Sequence, residues 1–242
     1  MATDKSFVGK GVLFIENDDG VLVDIGNTTA FSYSAEEENI ELKNYRTAGG
    51  GNRNSITRVT AVNLQLDVSD FSGQNLAFGL FGSVTAVAAG AVSGEAQTTP
   101  ADVSLDQLLP TDHVIDTDET VTVTGYTEGT DFEVRAAGLV ILASGSIPAS
   151  TALSINYTKK AVDLVQAFVN AAQDRKIVLD GLNEAQNGSP VVITIYRAKF
   201  GPAQETAFIG DEFGSISLSG EALIDTTITS SGVSQYLKIA AA

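Results

Sequence analysis

From Val62 to Val68 apolar and polar side chains alternate without a break: Val62, Leu64, Leu66 and Val68 against Asn63, Gln65 and Asp67. A period of two belongs to a strand with one face on a core and the other facing water or a partner. A helix start follows at once. Ser72 can cap free amides of a first turn, and Phe71 before it can pack on Leu76 as a hydrophobic staple. Leu76 and Leu80 then share a face at i, i+4 and are expected to pack on the sheet. Gly82 stands where a left-handed residue would end the helix. Gly79 weakens that helix by roughly 1 kcal/mol relative to Ala, so tertiary packing has to hold it.

Elsewhere the pattern is of short strands. Residues 12–15 and 21–25 form a hairpin across Asn17-Asp18-Asp19-Gly20, since Asp-Gly between apolar runs is a strong turn signal. Residues 84–94 read as a connecting strand or a linker, and 95–109 as a polar stretch with a helical turn. Apolar positions at Val121, Val123, Phe132, Val134, 139–142, Leu153, Ile155 and Tyr157, punctuated by glycines, suit a β-meander. Val162, Leu164, Gln166 and Phe168 mark another strand. Residues 177–179 and 191–196 flank an Asn187-Gly188 turn, Ile216 and Leu218 alternate with serines, and 220–228 read as a last strand. The pattern therefore predicts a mainly β protein with one short flanking helix. Its core is 1–95 together with 160–242, and 96–159 is an inserted β-rich segment.

The stretch 31–58 is charged and interrupted by glycines. It reads as a long charged hairpin loop. Glu36, Glu37, Glu38 and Glu41 lie on the way out, Lys43 and Arg46 near the middle, Gly49, Gly50 and Gly51 at the tip, and Arg53 and Arg58 on the way back. Three consecutive glycines lose too much backbone entropy to hold regular structure, so the tip can bend between ordered arms.

Taken in order, Gly49-Gly50-Gly51, Ser55-Ile56-Thr57-Arg58-Val59, Val62-Asn63-Leu64, Asp70-Phe71-Ser72, Asn75-Leu76-Ala77 and Leu80-Phe81-Gly82 resemble the major tail tube proteins of long-tailed bacteriophages. The resemblance is closest over 49–82 and looser in the C-terminal strands. It implies a β-sandwich with one flanking helix, whose copies form six-membered rings that stack into a tube. It also implies other tail proteins as partners, such as tape measure and terminator, DNA that passes without specific binding, and a place in the virion tail after assembly in the host cytoplasm. Within that resemblance the charged loop is the inter-subunit and stacking element, and Asn63, Gln65 and Asp67 are candidates for the lumen. An order of residues in 131–157 also resembles a β element inserted in phage tail structural proteins.

Charge sharpens this picture. The chain of 242 residues carries 14 basic and 30 acidic side chains, a net −16. That balance opposes a basic nucleic-acid reader, which needs cations to displace phosphate counterions. It suits solubility, or a surface over which DNA slides without sticking. From Val59 to Val134 there is no Lys or Arg, whereas twelve acids fall there. Such a segment repels acidic partners and belongs in solvent or opposite polyanions that must be kept off.

Catalytic chemistry is thin. His113 is the single histidine and no Gly-x-Ser-x-Gly elbow accompanies it. With no cysteine there is neither a disulfide framework nor a thiolate metal site. Phosphate-binding glycine loops are missing. Asp112, Asp116, Asp118 and Glu119 depart from calcium-loop spacing, so a solvated acidic face is the simpler reading. Adjacent Glu36, Glu37 and Glu38 point alternately to opposite faces of an extended chain, which disfavours a catalytic pair. No apolar run reaches the ~20 residues of a membrane span, and the start lacks a signal-peptide core. The expectation is a structural, self-assembling protein without cofactor, metal or catalysis. The alternative is a β-rich binding or capsid-decoration module, for which six Tyr, eleven Phe and no Trp are a sparse supply of ligand-stacking rings.

Overall fold

The computed structural model describes residues 5–242. In chain order the elements are β1 (Gly9–Glu16), β2 (Leu22–Asp24), β3 (Thr28–Lys43), β4 (Asn52–Val68), α1 (Gly73–Gly79), β5 (Ser83–Val87), β6 (Gly90–Thr98), β7 (Gln107–Pro110), β8 (Thr122–Val123), β9 (Phe132–Arg135), β10 (Gly138–Ile141), β11 (Ala152–Lys159), β12 (Val162–Gln166), β13 (Asp174–Asn183), β14 (Ser189–Phe200), β15 (Ile216–Ala222) and β16 (Leu237–Ala241). A 3₁₀ turn, Glu184–Gln186, joins β13 to β14. Among the described residues the protein is mainly β, with antiparallel ladders such as β1–β13, β13–β14 and β3–β4, and one short α-helix.

The chain divides into two units, 5–83 with 165–242, and 84–164. The inserted segment therefore begins earlier and ends later than the expected 96–159. Of the two readings of 84–94, connecting strand or linker, strand holds: β5 forms a two-stranded ladder with β12, and β6 follows it.

The first unit is built on one eight-stranded sheet in the order β2-β1-β13-β14-β15-β4-β3. β14 branches it. Its N-terminal half pairs with β16 from Val191 to Ile195, and its C-terminal half pairs with β15 from Ala198 to Phe200. The sheet therefore forks at β14. The core collects the inward residues of β1, β4, β13, β14 and β15, among them Leu13, Leu64, Leu66, Ile177, Ile195, Ile216 and Leu218. Val62, Leu64, Leu66 and Val68 are all buried, as period-two alternation requires.

Helix α1 starts as expected: the Ser72 side chain accepts from the Asn75 amide at 3.1 Å. Its buried face differs. Asn75, Ala77 and Gly79 are buried, Leu76 and Phe78 pack half-buried against the core, and Leu80 lies outside the cluster as the C-cap. Two facts account for this. A Cβ on Gly79 would stand 2.8 Å from Ile216 Cγ2, so a glycine lets the helix approach β15 closely. Phe78 fills the space beside it, edge-on to Phe200 at 5.7 Å and beneath the Arg175 guanidinium at 5.3 Å. Phe71 also packs on the core, and its ring meets Phe208 at 6.2 Å.

The helix end is also corrected. Phe81, at φ 50, takes the left-handed position, and the Gly82 amide donates back to the Ala77 carbonyl at 2.7 Å in a Schellman arrangement. Gly82 serves close approach instead, because a Cβ there would meet the Gln166 carbonyl oxygen at 2.5 Å.

The second unit holds two three-stranded sheets, β7-β10-β9 and β6-β11-β8, around its own core of Leu109, Ile115, Phe132, Leu139, Ile141, Ile155 and their neighbours. The helical turn expected in 95–109 is absent. Glu95 lies in β6 and residues 107–110 form β7. In the first unit the last strand is Leu237–Ala241 rather than 220–228, of which 220–222 end β15 and the remainder lies outside any strand.

Candidate functional site

The expected loop 31–58 is instead a β-ribbon. β3 and β4 pair from Thr28↔Val68 out to Lys43↔Asn52, and only residues 44–51 turn. β-branched Ile56, Thr57, Val59, Thr60 and Val62 favour the pleated ladder and carry glutamates along on the partner strand. β15 pairs with β4 only from Asn63 to Val68. Residues 52–62 therefore have β3 as their single neighbour, and the ribbon runs roughly 35 Å past the sheet as a free arm. A register shift between Glu36 and Glu37, opposite Thr60, marks its root. Bulges of this kind bend a ribbon and raise its twist.

The tip is wired internally. The Asn44 amide donates to the Gly51 carbonyl at 2.8 Å, and Asn44 Oδ1 accepts from the Arg46 amide at 3.0 Å. Gly50 and Gly51 take φ of 65° and 98°, which explains two of the three glycines. A Cβ at Gly49 would meet nothing within 4 Å.

The arm's charges fall into two groups. Some are occupied within the arm. Lys43 pairs with Glu41 and donates to Asn52 Oδ1, and the Lys43 hydrogen bond holds the exposed Glu41 carboxyl below its usual range. Asn63 Nδ2 donates to Glu36 Oε1 at 2.7 Å. Glu38 stands across the ladder from Arg58 without forming an ion pair with it. The others are open. Among the described residues the cations in ion pairs are Lys43, Arg135, Lys160, Arg175, Arg197 and Lys199, so Arg46, Arg53 and Arg58 have no carboxylate partner.

Alternation from the register puts Glu38, Ile40 and Leu42 on one face of the arm, with Ile56 and Arg58 across from them. Ile40, Leu42 and Ile56 are all exposed, and Ile40 and Ile56 are direct cross-strand partners. Tyr45 at the tip is 88% exposed.

Asn63, Gln65 and Asp67 lie on the sheet face away from the core, half-buried in rows across three strands. The rows are Ala30–Asp67–Ser217, Ser32–Gln65–Ser219 and Ser34–Asn63–Glu221. Ser219 Oγ donates to Gln65 Oε1 at 3.0 Å. Ser32, Ser34, Asn63, Gln65 and Ser219 line an open depression there. Lys199 joins the last row opposite Glu221 and lies 3.9 Å from Asp174. This face is small, polar and acidic.

Acidity is concentrated in 84–164, which carries 11 acidic and 3 basic side chains, half of the net −16. Lys160 sits between Asp116 and Asp118 at 3.3 and 3.8 Å, which ties that acidic turn to a cation of the chain itself. Among the described residues no group of three or more His, Asp or Glu is arranged to hold a metal. Inside this unit Tyr157 Oη donates to Glu95 Oε2 at 2.5 Å. Burial works to raise the Glu95 carboxyl, but hydrogen bonds from Tyr157, Gln97 and the Asp112 amide outweigh it and hold it below the usual range. Burial, then the Glu95 acceptor and its charge, push the Tyr157 phenol up to about 12.

The sequence reading passed over one exposed region. Between β14 and β15, residues 203–213 carry Phe208, Ile209 and Phe213, of which Ile209 is 97% exposed, beside exposed Glu205, Asp211 and Glu212. Three large apolar side chains in a stretch without strand alternation were the available signal.

Fold and surface together define a β-rich two-unit protein with a projecting ribbon and a polar sheet face. Over residues 6–240 it matches the family described as "Protein of unknown function UCP028589", and the chain belongs to that family. No curated protein matches it. Among the described residues no helix is long and apolar enough to cross a membrane.

Proposed function

We propose that this chain is a structural subunit that assembles with copies of itself into a tube of the tail-tube kind, a conduit for DNA. The observation that carries the reading is the arm. A two-stranded ribbon that leaves its sheet, exposes Ile40, Leu42, Ile56 and Tyr45, and holds three open arginines gains little by standing in water. Contact with a neighbouring subunit removes that apolar surface and neutralises those charges. Contacts between unlike surfaces repeat along an axis without closing, which builds a filament. The long outer edge of β3 adds a second means of association, since unpaired strand edges template pairing.

The polar face supports the same reading. Serine, amide and carboxylate rows at Asn63, Gln65 and Asp67 offer phosphates little to bind, as a DNA passage demands, since Lys199 at the end of one row lies opposite Glu221 and beside Asp174. In this reading the protein has no catalytic role. It is made in the host cytoplasm and ends in the virion tail, against tape-measure and terminator proteins.

The test is negative-stain microscopy of the purified chain beside a variant lacking the tip residues 44–52. Rings or tubes from the full chain, and a folded but dispersed variant, are the expected result. Dispersed monomers of the full chain at every concentration would overturn the reading.

A further inference from the structure

The arm needs a receiving surface, and the geometry points to one: residues 203–213 of a second copy of this chain. The inference rests on the self-assembly reading for the identity of the partner. Complementarity is its first support. The arm offers Arg46, Arg53 and Arg58 without carboxylate partners, and the 203–213 segment offers Glu205, Asp211 and Glu212 without cationic ones among the described residues. Each set of charges lies beside exposed apolar side chains, Ile40, Leu42 and Ile56 on the arm and Phe208, Ile209 and Phe213 on the segment. Opposite potentials around apolar centres steer association and set register.

Position is the second support. β4 runs from the arm tip at Asn52 to Val68, and Val68 pairs with Ile216, which in turn bridges to Thr206 of the receiving segment. Donor and receiver thus sit at opposite ends of one 17-residue strand, roughly 50 Å apart. A single chain cannot bring them together. A second copy displaced along the strand direction can, and it leaves its own arm free for a third. The surfaces are unlike and lie at opposite ends, so the contact is head to tail and repeats without closure. Phe208 is anchored from behind by the Phe71 ring at 6.2 Å, which fixes one apolar side chain of the receiver in advance.

Charge exchange on the full chain tests this. One variant carries Arg46→Glu, Arg53→Glu and Arg58→Glu, and the other carries Glu205→Lys, Asp211→Lys and Glu212→Lys. Each alone is expected to raise the protein concentration needed for polymer by at least about tenfold, and an equimolar mixture to restore assembly, because every contact then joins opposite signs. The chain has no cysteine, so a second readout is clean. A mixture of Leu42→Cys and Ile209→Cys chains under mild oxidation should give one disulfide-linked heterodimer. Wild-type-like polymer from the Lys variant, or a mixture of folded variants that stays dispersed, overturns the docking while wild-type tubes still support the tube reading. Dispersed wild type with the 42–209 cross-link formed would overturn the tube and keep the contact.

Discussion

Val62–Val68 and Asn52–Ala61 are halves of one strand, paired with one partner, in opposite environments. The inner half is covered by β15 on its second edge and by the core on one face, with Leu66 fully buried. The outer half has neither cover, and Ile56 is half exposed. The strand persists through both because a ladder needs a partner and compatible side chains, not burial. The difference lies in what each half contributes. The inner half stabilises the fold. The outer half contributes little to it and carries the apolar and charged groups a neighbour can use.

The sharpest way to break that comparison is to truncate both halves. Leu66→Ala should destabilise by about 2–5 kcal/mol, the range for a fully buried leucine. Ile56→Ala should stay within about 0.5 kcal/mol, as exposed changes usually do. Urea titration of both variants measures this, and equal losses would mean that the arm is folded onto something in the monomer.

Glycines give the next largest effect. Gly82→Ala drives a Cβ to 2.5 Å from a backbone carbonyl, and an expected loss of about 1–3 kcal/mol follows from that overpacking. Gly50→Ala meets open space and is penalised only by its left-handed backbone, about 1 kcal/mol. Thermal unfolding should rank them in that order, and a reversed order would show the tip to be the more constrained site.

A third contrast sets the partly buried Tyr157–Glu95 pair of the inserted unit against the exposed charges of the arm. Tyr157→Phe removes the phenol donor to Glu95 and should cost about 1 kcal/mol at neutral pH. The pH limbs have definite signs. Tyr157 has a raised pKa in the fold, so its contribution is complete below its unfolded value near 10 and is lost as pH climbs toward about 12. Glu95 has a lowered pKa, so its contribution is present above its unfolded value and is lost as pH falls through the folded one. Stability of Tyr157→Phe measured against pH should lack the alkaline loss between 10 and about 12. Retention of that limb would assign it to another group.

Smallest for stability, though not for assembly, is Arg53→Glu with Arg58→Glu. Unfolding should shift by less than about 0.5 kcal/mol, since both side chains are exposed and free of ion pairs. Assembly should slow more at low salt than at high salt, where exposed charges are screened beyond ~10 Å. An equal defect at all ionic strengths would remove electrostatics from the contact.

Much of the chain was legible where local chemistry decides alone. Alternation at 62–68, the Asp19-Gly20 and Asn187-Gly188 turns, the Ser72 cap and the mainly β class follow from side-chain period, positive φ and capping, each a property of a few neighbouring residues. The candidate lumen residues Asn63, Gln65 and Asp67 were placed on one face by the same alternation.

The rest required partners distant in sequence. Glu36, Glu37, Glu38 and Glu41 are poor strand formers until Val59, Arg58, Ile56 and Ser55 stand opposite them, so the arm reads as a loop from sequence and is a ribbon in the fold. Leu76 and Leu80 share a helical stripe, yet only Leu76 packs on the core, while Gly79 against Ile216 brings Ala77 and Phe78 in beside it. Residues 84–94 read as strand or linker, and 83–87 become β5 because β12 meets them some 80 positions later in the chain. Side-chain period is local and survives any context. Which edge is covered, which face is approached and which charge finds a partner are set by long-range pairing, and only the tertiary structure decided those.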